Sequence, residues 1–305
     1  MLNIGNRAVL LSFLMMLFVV LQQSVYAEEK LKPHVLASQS DGVYQAIVKK
    51  SITSLQEAGF QVAGQYSPYK DATVIVITNE ELKKNAAVSK HGGFGAMQRV
   101  AITRVKGKVQ VVFTNPVYMA NVYRMKGDLS TVKMQLEKAL GVVRDFGAQG
   151  ITASDLREYH YKVFMPYFDE PYEIKTYASH AEALQAVESG LKAGWGGTSK
   201  VYRIDIPGKQ ESVIGVALTR ECGGDEFIMN KIDFGDVRST SHLPYEIMVT
   251  GNDVIALHAK FRIAQSFPDL SMVGGNSFFS IMCAPGEIEE ALSSIVNGES
   301  KAEDE

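Results

Sequence analysis

Two histidines stand at matching places in this chain, each just ahead of a segment patterned as a β-hairpin. One is in His91-Gly92-Gly93-Phe94-Gly95 and the other in His242-Leu243-Pro244-Tyr245-Glu246. An imidazole titrates near neutral pH, binds metals and relays protons, and a glycine-rich loop lets backbone amides approach an anion. The competing reading of both places is a flexible loop with an exposed imidazole. Near His242, Glu246 and Arg262 supply a carboxylate and a fixed cation, so His242 could act as acid or base while Arg262 holds an anionic group. Asp269 would complete a polar cluster at the mouth of the second half. Asn115, Tyr118 and Tyr123 could do so in the first half, and Arg99 is a further candidate there. Against this, Asn-Pro pairs commonly open turns, and tyrosines fill cores with the hydroxyl at the rim. These nine residues are the candidate ligand-binding set, and no catalytic residue is singled out.

Motifs of higher specificity are missing. The chain has no Gly-x-Ser-x-Gly elbow and no His-Glu-x-x-His run. Gly194-Trp195-Gly196-Gly197-Thr198-Ser199-Lys200 lacks the phosphate-loop spacing and lies between a helix and a strand, the wrong order for amides at a helix start to cradle phosphate. Met119, Met125 and Met134 offer soft thioether ligands that suit copper, but at irregular spacing, and methionine is an ordinary core filler. No metal ligand set and no cofactor is therefore assigned. The two cysteines, Cys222 and Cys283, are not spaced as a zinc or dithiol motif. They pair as a disulfide, which would close a loop of about 61 residues and contribute on the order of 4 kcal/mol, or they stay as separate thiols.

The elements that must position these residues recur in the same order twice. Residues 42–58 carry Tyr44, Val48, Ile52 and Leu55 at helical spacing, with Asp41 as cap and Gly59 as stop. Two strand-like runs follow, 61–66 and 73–78, around the turn chemistry of residues 67–71. Residues 100–104 and 109–114 flank Lys106-Gly107-Lys108 as a hairpin. A short helical turn is expected at 118–123, a strand opening at 122–125, and a helix from Ser130. In the second half Ser179-His180-Ala181-Glu182 is a capping box ahead of a stripe of Leu184, Val187 and Leu191. Strands at 201–206 and 212–219, a hairpin about Gly251-Asn252-Asp253, a strand at 278–283 and a helix from Pro285 complete it. Laid without gaps on 179–216, residues 40–77 match at Ser40/Ser179, Val48/Val187, Val62/Val201, Pro68/Pro207, Lys70/Lys209, Val74/Val213 and Ile75/Ile214.

The N-terminus has Arg7, an apolar run over 8–21, and Val25-Tyr26-Ala27 ahead of Glu28-Glu29-Lys30. This is the pattern of a secretory signal cleaved after Ala27. The run is shorter than the roughly 20 residues a spanning helix needs. The rest of the chain carries 30 basic against 34 acidic side chains, and so small a negative balance argues against a nucleic-acid partner. Its length allows two domains, each with its own core.

Asn115-Pro116-Val117-Tyr118-Met119-Ala120-Asn121-Val122-Tyr123, after a hairpin and before a capped helix, resembles the pattern of the family named domain of unknown function 302, typified by a small TT1751-like α/β fold. Residues 238–246 and 261–270 resemble corresponding places in tandem, exported members. The resemblance spans nearly all of 40–297 and implies a fold but no activity. The second copy has Lys260-Phe261 where Asn115-Pro116 stands, so sites in the two halves need not be equivalent.

The expectation is an α+β protein of two tandem related domains, each a mainly antiparallel sheet with helices packed on one face. Its segments are a signal peptide at 1–27, a first domain at 28–141 beginning with an extended arm, and an aromatic-rich connection at 142–176. A second domain at 177–298 and an acidic tail at 299–305 follow. The expected role is a periplasmic, non-catalytic module that binds a small molecule or an envelope protein in a groove near the His91 and His242 loops, with homo-oligomerisation open. The rivals are a hydrolase-like enzyme using His242, Glu246 and Arg262, and a metal-handling protein.

Overall fold

The computed structural model describes residues 28–298, so the signal segment and the acidic tail lie outside the described residues. The first half contains β1 (Lys30–Leu31), β2 (His34–Ser40), α1 (Tyr44–Glu57), β3 (Gln61–Tyr66), β4 (Ala72–Thr78) and α2 (Glu80–Val88). A 3-10 turn (Gly92–Gly95), β5 (Gln98–Val105), β6 (Lys108–Thr114), α3 (Pro116–Val122) and α4 (Ser130–Leu140) follow. Next come β7 (Arg144–Phe146), β8 (Ile151–Thr152) and α5 (Ala153–Arg157). The second half contains β9 (Tyr172–Thr176), α6 (His180–Ala193), β10 (Thr198–Asp205), β11 (Glu211–Leu218) and α7 (Asp225–Ile232). It continues through a 3-10 turn (Thr240–His242), β12 (Tyr245–Thr250), β13 (Asp253–Ala256), α8 (Ala259–Ser266) and α9 (Ala284–Asn297).

The first sheet has the order β3-β4-β5-β6-β2-β7 and the second β10-β11-β12-β13-β9. Every ladder is antiparallel. Replacing each strand of the first order by its counterpart yields the second, with β7 as an addition at one edge. The two halves thus share one topology.

The sequence pattern explains the layers. α1 buries Tyr44, Val48, Ser51 and Leu55, a single stripe at helical spacing. α6 starts where the Ser179 side chain accepts the Glu182 amide at 3.2 Å and buries Ala183, Val187, Gly190 and Leu191. β4 and β11 are buried along their whole length, because each sheet is covered on both faces. Outside lie the helices. Inside, the sheets face one another, and Tyr202, Ile204, Ile206, Val213 and Met248 of the second half join the first half's core. The result is a four-layer helix–sheet–sheet–helix stack.

The seam is reciprocal. The turn at Gly92–Gly95 docks on β11 and β12, and the turn at Thr240–His242 docks on β4, β5 and β6. Gly93 has no room for a side chain, since a Cβ would sit 2.8 Å from Met248 Sδ. Its amide donates to Glu211 Oε1 at 2.7 Å. On the other side, Thr240 Oγ1 meets Tyr69 Oη at 2.7 Å and Thr103 Oγ1 at 3.0 Å.

The structure departs from the sequence expectations at residues 28–39, 122–125 and 278–283. Residues 28–39 are not a free arm: β2 sits between β6 and β7 within the first sheet. The 142–176 stretch gives β7 to the first sheet and β9 to the second, and its Phe168 packs on Phe94, Tyr123 and Phe261. Residues 122–125 end a helix rather than open a strand. Residues 278–281 form a 3-10 turn, because they follow an insertion with no neighbouring strand to pair with. Cys222 and Cys283 are joined, closing the end of that insertion onto the turn at Glu221–Gly223. No helix among the described residues is long and apolar enough to cross a membrane.

Candidate functional site

Four of the candidate residues converge in the seam between the sheets. Arg99 on β5 and Arg262 on α8 grip the two carboxylate oxygens of Glu246 on β12. Arg262 Nε lies 2.9 Å from Oε2, and Arg99 Nη2 meets Oε1. Arg262 also donates through Nη2 to the carbonyls of His242 and Pro244, at 2.7 and 2.9 Å. The turn at 240–242 and the start of β12 are thereby tied to α8. Burial opposes the charge on Arg99, but the neighbouring Glu246 overcomes it and raises the guanidinium's pKa.

This cluster is closed to solvent. His242, Glu246, Arg99 and Arg262 are each exposed by 2% or less. The ring of His242 is fully committed. Arginine only donates, so its contact to His242 Nδ1 at 3.5 Å makes Nδ1 an acceptor. Nε2 then carries the proton and donates to Tyr245 Oη at 3.1 Å. Burial first, then the positive charge of Arg262 and Arg99, pushes the His242 pKa well below its ordinary value. A neutral imidazole with both nitrogens engaged and no path to solvent has no lone pair to offer a substrate. The expected groove beside His242 is therefore replaced by a packed seam.

His34 belongs to the same network and was not among the sequence candidates. Its Nδ1 faces Ser241 Oγ at 3.0 Å and its Nε2 faces the Ser266 carbonyl at 3.3 Å. Burial lowers its pKa to about 3. The short continuous apolar run Val35-Leu36-Ala37 beside it was the signal that could have placed it in a buried strand.

Tyr118 and Tyr123 border the cluster through α8. The Tyr118 hydroxyl donates to the Gln265 carbonyl at 2.9 Å, and Gln265 Nε2 donates to Tyr123 Oη at 2.7 Å. Asn115 is elsewhere, capping α3 by accepting the Val117 amide at 3.2 Å and donating to the Lys32 carbonyl at 2.9 Å. Asp269 accepts the Gln149 amide at 2.6 Å and does not approach Arg262's carboxylate partner. Met119 and Met125 are buried while Met134 is exposed, so the three thioethers share no site. Among the described residues no group of three or more His, Cys, Asp or Glu is arranged to hold a metal.

His91 lines an open cleft. The cleft encloses about 470 Å³ between the halves. Lys90 and His91 come from the first half, Asp169 from the connection, and Glu173, Lys175 and Asp253 from β9 and β13. His91 adopts a left-handed backbone with φ 50°, which starts the tight turn at Gly92–Gly95. Its ring meets Phe168 edge-on at 6.2 Å, and its Nδ1 is buried without a hydrogen-bond partner among the described residues. Burial, then Lys90 and Lys209, lower its pKa, with Asp169 opposing. Lys90, Asp169, Glu173 and Asp253 thus bring charges of both signs to the lining beside His91, while the Lys175 ammonium turns away to the Val296 carbonyl at 3.3 Å.

A second groove of about 670 Å³ lies on the far side of the connection, lined by His160, Met165, Tyr167, His258 and Glu289 among others. His258 Nδ1 donates to Glu289 Oε1 at 2.9 Å, an oxygen that also accepts the Ala259 amide at 3.2 Å. Sequence reasoning passed over this pair, which is 31 residues apart and marked by no motif.

No family model matches this chain, and no curated protein matches it. Among solved structures, it is similar to an uncharacterized conserved protein DUF302 from Bacillus stearothermophilus over 35% of this chain and 94% of that one, at 12% identity and a TM-score of 0.32.

Proposed function

We propose that this chain is an exported, periplasmic, non-catalytic binding module, whose ligand is a small polar molecule carrying both positive and negative groups and occupying the His91 cleft. The observation that carries this reading is the meeting of Lys90 and His91 with Asp169, Glu173 and Asp253 in one cleft drawn from both halves and the connection. Clefts between domains are favoured ligand sites. Charges of both signs on the lining match a zwitterion better than a simple anion or an apolar compound. The buried Arg99–Glu246–Arg262 network belongs to the scaffold in this reading, because it holds the walls of the cleft in register without meeting solvent.

Calorimetric titration with free amino acids and short peptides is the test. A saturable heat with wild type, weakened roughly tenfold by Lys90→Ala or Asp253→Ala, is expected, a change of about 1.4 kcal/mol in binding free energy. Absence of binding across such a panel would overturn the ligand assignment. Osmotic-shock fractionation tests the export, and retention of the protein in the cytoplasm would overturn it.

A further inference from the structure

The loop that brings His91 to its cleft is tied down on both sides. Gly92 lies so close to α2 that a Cβ there would run into the Ala86 carbonyl, and the Gly93 amide is fixed on Glu211 of the other half. The Lys209 ammonium, also from the second half, donates to the Ser89 and Ala86 carbonyls at 2.5 and 3.3 Å. His91 follows directly, with Phe168 edge-on against its ring.

The two ring nitrogens meet different surroundings. Among the described residues Nδ1 is sealed off without a partner, whereas Nε2 is neither sealed nor taken by a protein group and is the nitrogen left to the cleft. A sealed N–H with no acceptor is the costlier orphan, since native structures leave acceptors unmatched more readily than donors. The Lys209 ammonium beside the loop acts in the same direction, because a positive charge favours a lone pair and opposes a further N–H. Both arguments put the ring proton on Nε2. The imidazole is then a neutral hydrogen-bond donor toward the cleft.

The other polar groups of the lining divide by origin. Lys90, next to His91, is a second donor from the first half, while the carboxylates come from the connection and from β9 and β13. Arg124 already pairs with Asp169 at 2.7 Å. The Thr176 hydroxyl, at 2.6 Å, occupies a single oxygen of Asp253. Glu173 and Asp253 therefore remain to meet a cation, and the first half contributes donors alone.

We infer that His91 selects the ligand's carboxylate, donating to it from Nε2 with Lys90 alongside, while Glu173 and Asp253 take its ammonium group. The ligand class is then amino acids whose carboxylate is free. A carboxamide would turn its NH2 toward one of these donors and lose the match, which is discrimination by an unpaired polar group. The inference rests on the reading of this cleft as a zwitterion site and adds which residues meet which end.

Two measurements test it. Nitrogen-15 spectra of histidine-labelled protein, with the His91 signals assigned by their loss in His91→Gln, should show the proton on Nε2. Calorimetric titration should show free amino acids binding roughly tenfold or more tighter than the corresponding amino-acid amides, because a hydrogen bond to a charged acceptor is the stronger one. His91→Phe should weaken the acids by about the same factor, and His91→Gln, whose side-chain N–H reaches a similar place, should restore most of it. A proton on Nδ1, or acids that bind His91→Phe as tightly as wild type, would overturn the inference and leave the cleft a zwitterion site. Amides that bind as tightly as acids, or no heat with any member of the panel, would overturn the zwitterion reading and the inference with it. Should His91→Phe not fold, the nitrogen spectrum and the acid–amide comparison still decide.

Discussion

Arg99 and Glu246, 147 residues apart and on opposite sheets, form an ion pair sealed inside the seam. Most of the seam is apolar and would tolerate a sliding of one sheet over the other. A buried charge pair does not, since any displacement leaves a charge unpaired in a medium that solvates it poorly. Arg262 approaches the same carboxylate from α8, so the network fixes three elements at once.

Removing Glu246 should therefore cost more than the pair contributes. Glu246→Ala strands two buried guanidiniums, and we expect a loss of about 3–5 kcal/mol in unfolding free energy by urea denaturation. The triple change Arg99→Met, Glu246→Leu, Arg262→Met removes all three charges and should recover a large part of that loss. Equal stability of Glu246→Ala and wild type would show that the charges are not held as described.

A second prediction concerns the closest approach of the sheets. A Cβ added at Gly64 on β3 would run into the backbone carbonyl of Val201 on β10, and a backbone cannot swing aside as a side chain can. Gly64→Ala should destabilise by about 1–3 kcal/mol, the usual cost of overpacking. Gly286→Ala, where nothing lies within 4 Å, should change little. Thermal unfolding of the two variants checks the contrast.

Much of the fold was legible because local chemistry and tertiary role agree. Gly107 and Gly251 take positive φ at the two hairpin turns, and Ser179 caps α6 by accepting the Glu182 amide, the serine half of the expected capping box. α2 was missed because it buries only Leu82, Asn85 and Ala86, a stripe too narrow to show periodicity. β2 reads as an arm because its apolar run is only Val35-Leu36-Ala37, opened by a histidine and closed by Ser38-Gln39-Ser40, and only burial in the network explains a histidine there. The site was legible in part. His242, Glu246 and Arg262 could be grouped since a single hairpin separates Glu246 from the helix that carries Arg262. Nothing local indicates that Arg99 reaches them or that the group is sealed. The parallel placement of His91 and His242 is real, but one lines a cleft and the other is buried, which depends on what the opposite half lays over each.

The buried titratable groups predict an unusual pH profile. Burial raises Asp225 and Asp233 to about 7. Their folded forms hold protons more tightly than the unfolded chain, so stability falls as pH rises from near 4 to near 7. Burial lowers His34 to about 3 and His242 well below its ordinary value. There the unfolded chain holds protons more tightly, so stability falls as pH drops below about 6.5. The two slopes oppose one another over the same window, two carboxyls against two imidazoles. Wild type should accordingly show a nearly level stability between about pH 4.5 and 6.5. The Asp225→Asn/Asp233→Asn double variant keeps neutral groups at both positions, including an acceptor for the Tyr66 hydroxyl that now lies 2.9 Å from Asp225 Oδ2. With the carboxyl slope gone, its stability should climb with pH across that window by several kcal/mol, at about 1.4 kcal/mol per group per pH unit. Urea denaturation at a series of pH values reads both curves, and a level profile in the double variant would mean that the histidines are not held neutral.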